Sequence, residues 1–226
     1  MNDQYVMLIS SLPPHIPKLF AARQTPISRL KLDERLQMLE PIHTKDLALI
    51  ENLMHWDRMS IEMTNEEMIR RGENARDEIE NECIKEIVSW RLEMRTVVKA
   101  MRRRALGRNA PLAGSKWGFG RWLRIIEKHW NEPSFGLDQH FSWIFEAGEL
   151  LEQKNHLALE RLLLDQLWHY YGRVAEEHYF DFEAIVVYVL RWDVINRWSR
   201  YDGQKAEQRF GKMLDSTLGE YVHMYA

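Results

Sequence analysis

The chain has 226 residues, 45% hydrophobic and 29% charged, the make-up of an ordinary globular protein long enough to bury a core. A net charge of -3 gives no global attraction to nucleic acid or to an anionic membrane surface. The single cysteine, Cys83, excludes an intrachain disulfide framework and suits a reducing cytoplasm.

The first residues, MNDQYVMLISSLPPH, lack the basic start and long apolar core of a signal peptide. The longest apolar run, 184–190, is too short to span a bilayer, so membrane association is expected only through a partner. Within the start, YVMLI (5–9) fits either a short strand or a buried helical turn. No proline lies between Pro41 and Pro111 or after Pro133, and both stretches are rich in Leu, Glu, Arg, Met and Ala. The expected fold class is all-α.

A first helix is predicted over about 32–39, stopping before Pro41, and a second from a Thr44 cap to about 57. Thr64-Asn65-Glu66-Glu67 has capping-box spacing; its helix weakens at Gly72 and continues over about 76–106, where Gly107 stops it. Residues 108–120 read as a glycine-rich linker between a first helical module, 1–107, and a second, 121–226, packed together as one elongated unit. In the second module a short helix over 121–130 breaks at Asn131-Glu132-Pro133, and Asp138 caps a helix to about 154. A long helix follows over about 157–177, with Leu159, Leu162, Leu163, Leu167 and Tyr170 on one face. Asp181 caps the helix containing VVYVLRWDVINRW (186–198), and a last helix occupies about 204–214. Arg91-Leu92-Glu93 lies 100 positions before Arg191-Trp192-Asp193, each after an apolar run, which suggests a duplicated helix pair.

The polar residues inside VVYVLRWDVINRW are the first candidates for a site. On a helix Asp193, Asn196, Arg197 and Arg200 share one side, while Val187, Leu190, Val194 and Trp198 share another. No second acid or base converges on Asp193 by spacing, so this row, with Arg91 and Glu93, reads as wiring between helices and no catalytic residue is assigned. Two Glu-x-x-His pairs, Glu40 with His43 and Glu220 with His223, sit at a proline-interrupted helix end and at the chain end. Neither suits a bundle-core metal, and no metal or cofactor is expected. Glu80, Glu82 and Glu86 around Cys83 would raise its thiol pKa and argue against a nucleophile.

Lys99, Arg102, Arg103, Arg104 and Arg108, followed by Lys116, Arg121 and Arg124, form the chain's most basic stretch. Its simplest role is to meet the negative end of a helix dipole; its alternative role is a nucleic-acid contact. Of nine tryptophans, Trp90, Trp168, Trp192 and Trp198 are expected in the core. Arg102, Arg103, Arg104, Trp117 and Trp122 are the candidate partner surface.

YVMLISSLPPH, ISRLKLDERLQMLEP (27–41), NECIKEIVSWRLEMRTVVKAMRRRALG (81–107) and LLLDQLWHYY (162–171) together resemble a family of bacterial helical proteins associated with V/A-type rotary ATPases. The pairing of DQLWHYY with VVYVLRWDVINRW is similar to the repeat in the socket component of those ATPases, at Asp165, Trp168, Tyr188, Asp193, Asn196 and Arg197. That socket is a non-enzymatic, funnel-like helical protein joining the rotating shaft to the membrane ring. The resemblance implies a non-catalytic protein that binds other V/A-type ATPase subunits, the central shaft and membrane ring, or assists their assembly. Its setting would be proton or sodium transport coupled to ATP.

Overall fold

The computed structural model describes residues 5–54, 65–112 and 114–200. Among them the chain is helical, with no strand, and the all-α expectation holds. The helices are α1 (Val6–Ser11), α2 (Arg29–Leu36), α3 (Pro41–Met54), α4 (Asn65–Glu78) and α5 (Glu82–Ala105). They continue with α6 (Leu123–Lys128), α7 (Ile144–Glu152), α8 (His156–Ala175) and α9 (182–200). Thr64 of the capping box and the expected helix over 204–214 lie outside the described residues.

Four of the helix starts, those of α2, α5, α8 and α9, have a side chain that takes an orphan amide. Asn81 accepts from Ile84 N at 3.1 Å, Asn155 from Ala158 N at 3.1 Å and Asp181 from Ala184 N at 2.9 Å. At the end of α5, Gly107 adopts φ +68, and Arg108 N and Gly107 N bond the carbonyls of Arg103 and Arg104. That pairing is a Schellman closure, which needs a residue at ease in the left-handed region. YVMLI is helical: Leu8 is buried, and Tyr5 N bonds Phe180 O rather than a strand partner.

Three predicted boundaries move, each for a local reason. Pro41 opens α3 instead of separating two helices, because the first helical position needs no N–H. Thr44 is therefore inside the first turn and returns its hydroxyl to Glu40 O at 3.1 Å. Gly72 does not weaken its helix; α4 runs through it, and the break falls at 79–81. A Cβ at Gly72 would meet Leu92 Cδ1 at 2.7 Å, so the glycine lets α4 approach α5. Asp138 caps no helix: it takes Ser134 Oγ in a run of turns, and α7 begins only at Ile144.

α5 is the centre of the fold. It packs against α3, α4, α6 and α7, and Ile84, Ile87, Val88, Leu92, Val97 and Met101 are buried around most of its circumference. The glycine-rich segment lies on this helix. Trp117 and Phe119 are buried, and Thr96 Oγ1 accepts from Phe119 N at 2.8 Å and lies 3.0 Å from Phe119 O. Glu93 accepts from Arg121 N at 3.2 Å and from Trp122 Nε1 at 2.8 Å. Gly120, at φ +97, passes so close that an added Cβ would overlap Glu93 Cγ. α8 packs on α7, and Tyr170 of α8 stacks on Trp90 of α5 at 3.7 Å.

Candidate functional site

The polar residues of α5 and α9 converge on α8. Arg197 donates Nε to Glu160 of α8 at 2.8 Å, so this member of the predicted row joins two helices. Arg91 is buried; burial pulls its pKa below the usual arginine value, and Tyr171, Asp193 and Glu160 work in the opposite direction. Tyr171, also buried, is pushed up to about 12 by desolvation, with the Arg91 charge opposing. Arg191 lies over the Trp168 ring at 3.9 Å. Asn196 is half-buried and Arg200 exposed. Glu93, by contrast, faces the 120–122 segment, so the two acids of the repeated triplets meet different surroundings.

The N-terminal segment closes over the same helices. Tyr188 of α9 donates its hydroxyl to Pro13 O at 2.8 Å, and Trp192 donates Nε1 to Ile27 O at 2.7 Å. His15 sits between Tyr188 and Trp168, with ring centroids at 4.2 and 5.9 Å. Burial, helped by the Arg191 charge, drives its pKa down to about 3.

Much of the basic stretch is bound to the chain itself. Arg103 donates to Asn109 O at 2.7 Å, and Lys99 donates to Trp117 O. Arg104 spans the turn after α6: it donates to Trp130 O, Glu132 O and Pro133 O and lies 3.9 Å from the Phe135 ring. Phe135 holds an unfavourable φ of 54 while fully buried, and Arg104 helps hold that turn. Trp117 and Trp122 are buried rather than presented to a partner, because Glu127 and Glu93 take their indole N–H groups. Arg102 remains exposed at the rim of a cleft of about 320 Å³, where Arg91, Arg95 and Lys99 also line the wall. Arg95 is pushed down to about 10, by burial and then by Arg91. Large exposed apolar side chains occur both before α4, at Met7, Leu30, Met38 and Ile42, and after it, at Leu106, Leu112, Phe145 and Tyr179.

One cluster has no forerunner in the expected sites. Cys83 at the start of α5 places Sγ 3.4 Å from His178 Nε2, and His178 Nδ1 meets Asp181 Oδ2 at 2.8 Å. Glu183 is bound at Oε1 by Asn81 Nδ2 at 2.8 Å. A thiol, imidazole and carboxylate in series have the layout of an activated nucleophile, but the electrostatics oppose it. Desolvation, then Glu183, Glu86, Asp181 and Glu177, pushes the thiol up to about 11. Asp46, near Glu80 and Glu78, is likewise raised, by desolvation first. His43, from the discounted Glu-x-x-His pair, shares a hydrogen bond with the Tyr5 hydroxyl and stacks on Phe182 at 4.1 Å. His223 lies outside the described residues.

Residues 63–220 match the model of a family described as a protein of unknown function, DUF2764. The chain belongs to the DUF2764 family. No curated protein and no solved structure matches it. The DUF2764 match takes in α4 to α9, and with them the convergence on α8, the basic stretch and the Cys83 cluster. Helices α1 to α3, with exposed Met7, Leu30, Met38 and Ile42, precede it. No helix among the described residues of this DUF2764 chain is long and apolar enough to cross a membrane.

Proposed function

We propose that this DUF2764 protein is a non-enzymatic counterpart of the V/A-type ATPase socket, which binds the central shaft and membrane ring or assists their assembly. The observation that carries the reading is the use made of the α9 polar row. Arg197 reaches Glu160 of α8, and Asp193 acts on the buried Arg91 of α5, so charged groups are used to register helices. The helix bearing DQLWHYY and the helix bearing the Asp-Asn-Arg series are thereby joined, which is the pairing on which the likeness to the socket rests. Exposed Met7, Leu30, Met38 and Ile42 supply apolar surface for a protein partner. The nucleic-acid alternative has fewer cations to use, since Lys99, Arg103, Arg104 and Arg121 already serve carbonyls or Glu93.

Crosslinked affinity purification of the tagged protein from its native cells, read by mass spectrometry, tests this. Recovery of shaft and ring subunits in near-equal amounts is the expected outcome. Their absence from the eluate, although expressed, would overturn the proposal. Nuclease-sensitive recovery of nucleic acid would favour the alternative.

A further inference from the structure

We propose that the cleft where residues 17–21 meet α8 and α9 binds a chain of phosphoryl groups, a free triphosphate or the triphosphate of a nucleotide, through Lys18, Arg161, Arg173 and Arg191. This inference goes beyond the partner reading and does not rest on it, because the ligand is a small anion.

The cleft has a volume of about 580 Å³, within the range of small-ligand sites. Its cations come from three parts of the chain. Arg161 and Arg173 lie on one face of α8, about 18 Å apart along the axis, with Asp165, Trp168 and His169 between them. Arg191 enters from α9 beside Trp168, and Lys18 from the segment between α1 and α2.

Rings, and not acids, position the guanidinium groups. Arg161 lies 4.3 Å from the Phe20 ring, Arg191 3.9 Å from the Trp168 ring and Arg173 5.9 Å from the Tyr170 ring. Among the described residues no carboxylate forms an ion pair with these three or with Lys18. Arg191 is half-buried, its Nε is enclosed without a hydrogen bond, and burial alone lowers its pKa. A charge held this way is costly, and an anion beside it offsets the cost. Of the two acids on the wall, Asp165 lies 3.2 Å from His169 and Glu176 is exposed. The four cations thus outnumber the acids, a balance that suits a polyanion.

Gly172 supplies a second, independent observation. Glycine inside a helix is destabilising relative to alanine, so its place there needs a reason. At Gly72 the reason is a neighbour that a Cβ would strike, but at Gly172 a Cβ would meet nothing within 4 Å. Gly172 lines the cleft one turn beyond Trp168, and a side chain there would take up the ligand's space.

Flat guanidinium forks match phosphate oxygens two at a time, and a phosphoryl chain spreads its charge as the cations are spread along α8. Phe20, Trp168 and Tyr170 already carry guanidinium groups, so the site offers a nucleobase no stacking partner and reads the phosphoryl chain alone.

Isothermal titration calorimetry of the full-length chain, in metal-free buffer at low salt, tests this with tripolyphosphate, ATP and citrate. Tripolyphosphate and ATP are expected to bind one per chain with affinities within about threefold of each other, and citrate about 10-fold more weakly. Gly172→Leu and Arg161→Gln each weaken tripolyphosphate binding by about 10-fold or more, while circular dichroism stays that of the wild type. Arg108→Gln, which removes an exposed charge elsewhere, leaves binding unchanged. Absence of saturable tripolyphosphate binding by the wild-type chain overturns the proposal, as does a Gly172→Leu chain that binds like wild type. An Arg108→Gln loss equal to that of Arg161→Gln also overturns it, since net charge would then account for the binding. Citrate bound as tightly as tripolyphosphate refutes the phosphoryl assignment, and ATP bound more than about 10-fold tighter refutes recognition of the phosphoryl chain alone.

Discussion

Replacing Thr96 by valine tests whether the glycine-rich segment is part of the folded body. Thr96 is buried; its hydroxyl accepts from Phe119 N at 2.8 Å, and its one proton is shared between Phe119 O at 3.0 Å and Leu92 O at 3.1 Å. Valine fills nearly the same volume, so no cavity opens, but a buried amide loses its acceptor and two carbonyls lose a shared donor. The unpaired amide costs about 1–3 kcal/mol and the lost shared donor about 1 more, so a destabilisation of about 2–4 kcal/mol is expected. With a urea m-value of about 3 kcal/mol/M, the midpoint falls by about 1 M. Urea unfolding followed by tryptophan fluorescence and circular dichroism measures it, with Thr96→Ser, which keeps the hydroxyl, as the control. A Thr96→Val midpoint within about 0.2 M of wild type, below about 0.6 kcal/mol at that m-value, would refute the reasoning and return residues 117–122 to the status of a spacer.

Gly120→Ala forces φ +97 on an L side chain and overlaps Glu93, so a loss of more than about 2 kcal/mol is expected in the same assay. Arg104→Lys keeps the charge but cannot fork across the carbonyls of Trp130, Glu132 and Pro133; about 1–2 kcal/mol should be lost, and neutral stability would show that the fork is idle. Glu160 and Arg197 are 2.8 Å apart and mostly buried, so a double-mutant cycle with Glu160→Gln and Arg197→Leu should give a coupling of about 1–2 kcal/mol. His15 has a folded pKa of about 3 against 6.5 unfolded, so the folded state binds fewer protons below 6.5. Above that pH the group costs nothing; as pH falls from 6.5 toward 3, stability declines by up to about 1.4 kcal/mol per unit. His15→Phe should flatten that part of the stability–pH curve, and an unchanged slope would assign it to other groups.

The helix class and the ends set by neighbouring residues were legible in the sequence. Gly107 and Asp181 act through bonds to groups within a few positions, and those bonds are where they were expected. Thr44, Gly72 and Asp138 misled because their roles depend on something else. Pro41 shifted the register of α3, Leu92 and Phe119 gave Gly72 a packing partner, and the turn at Phe135 delayed α7. The candidate site divides in the same way. Periodicity placed Asp193 and Arg197 on one side of a helix, but not the partners across from them. Trp117 and Trp122 read as surface residues because their indole acceptors, Glu127 and Glu93, sit on other elements. Cys83 and His178 are 95 positions apart, and no local pattern pairs them.

The placement of charge about α8 has a consequence for how the scaffold resists distortion. Along one helix, Glu160 holds Arg197, Trp168 carries Arg191, and Tyr170 and Tyr171 meet Trp90 and Arg91. Burying a guanidinium is unfavourable unless its partners stay in place, so sliding α9 by one turn would strand Arg197 and leave Asp193 away from Arg91. An apolar interface of the same area has no such penalty, since one aliphatic contact can replace another as helices shift. The polar row therefore fixes a register more than it adds net stability. The socket role proposed above would draw on that property, because a helix pair able to slip would absorb a displacement instead of passing it on.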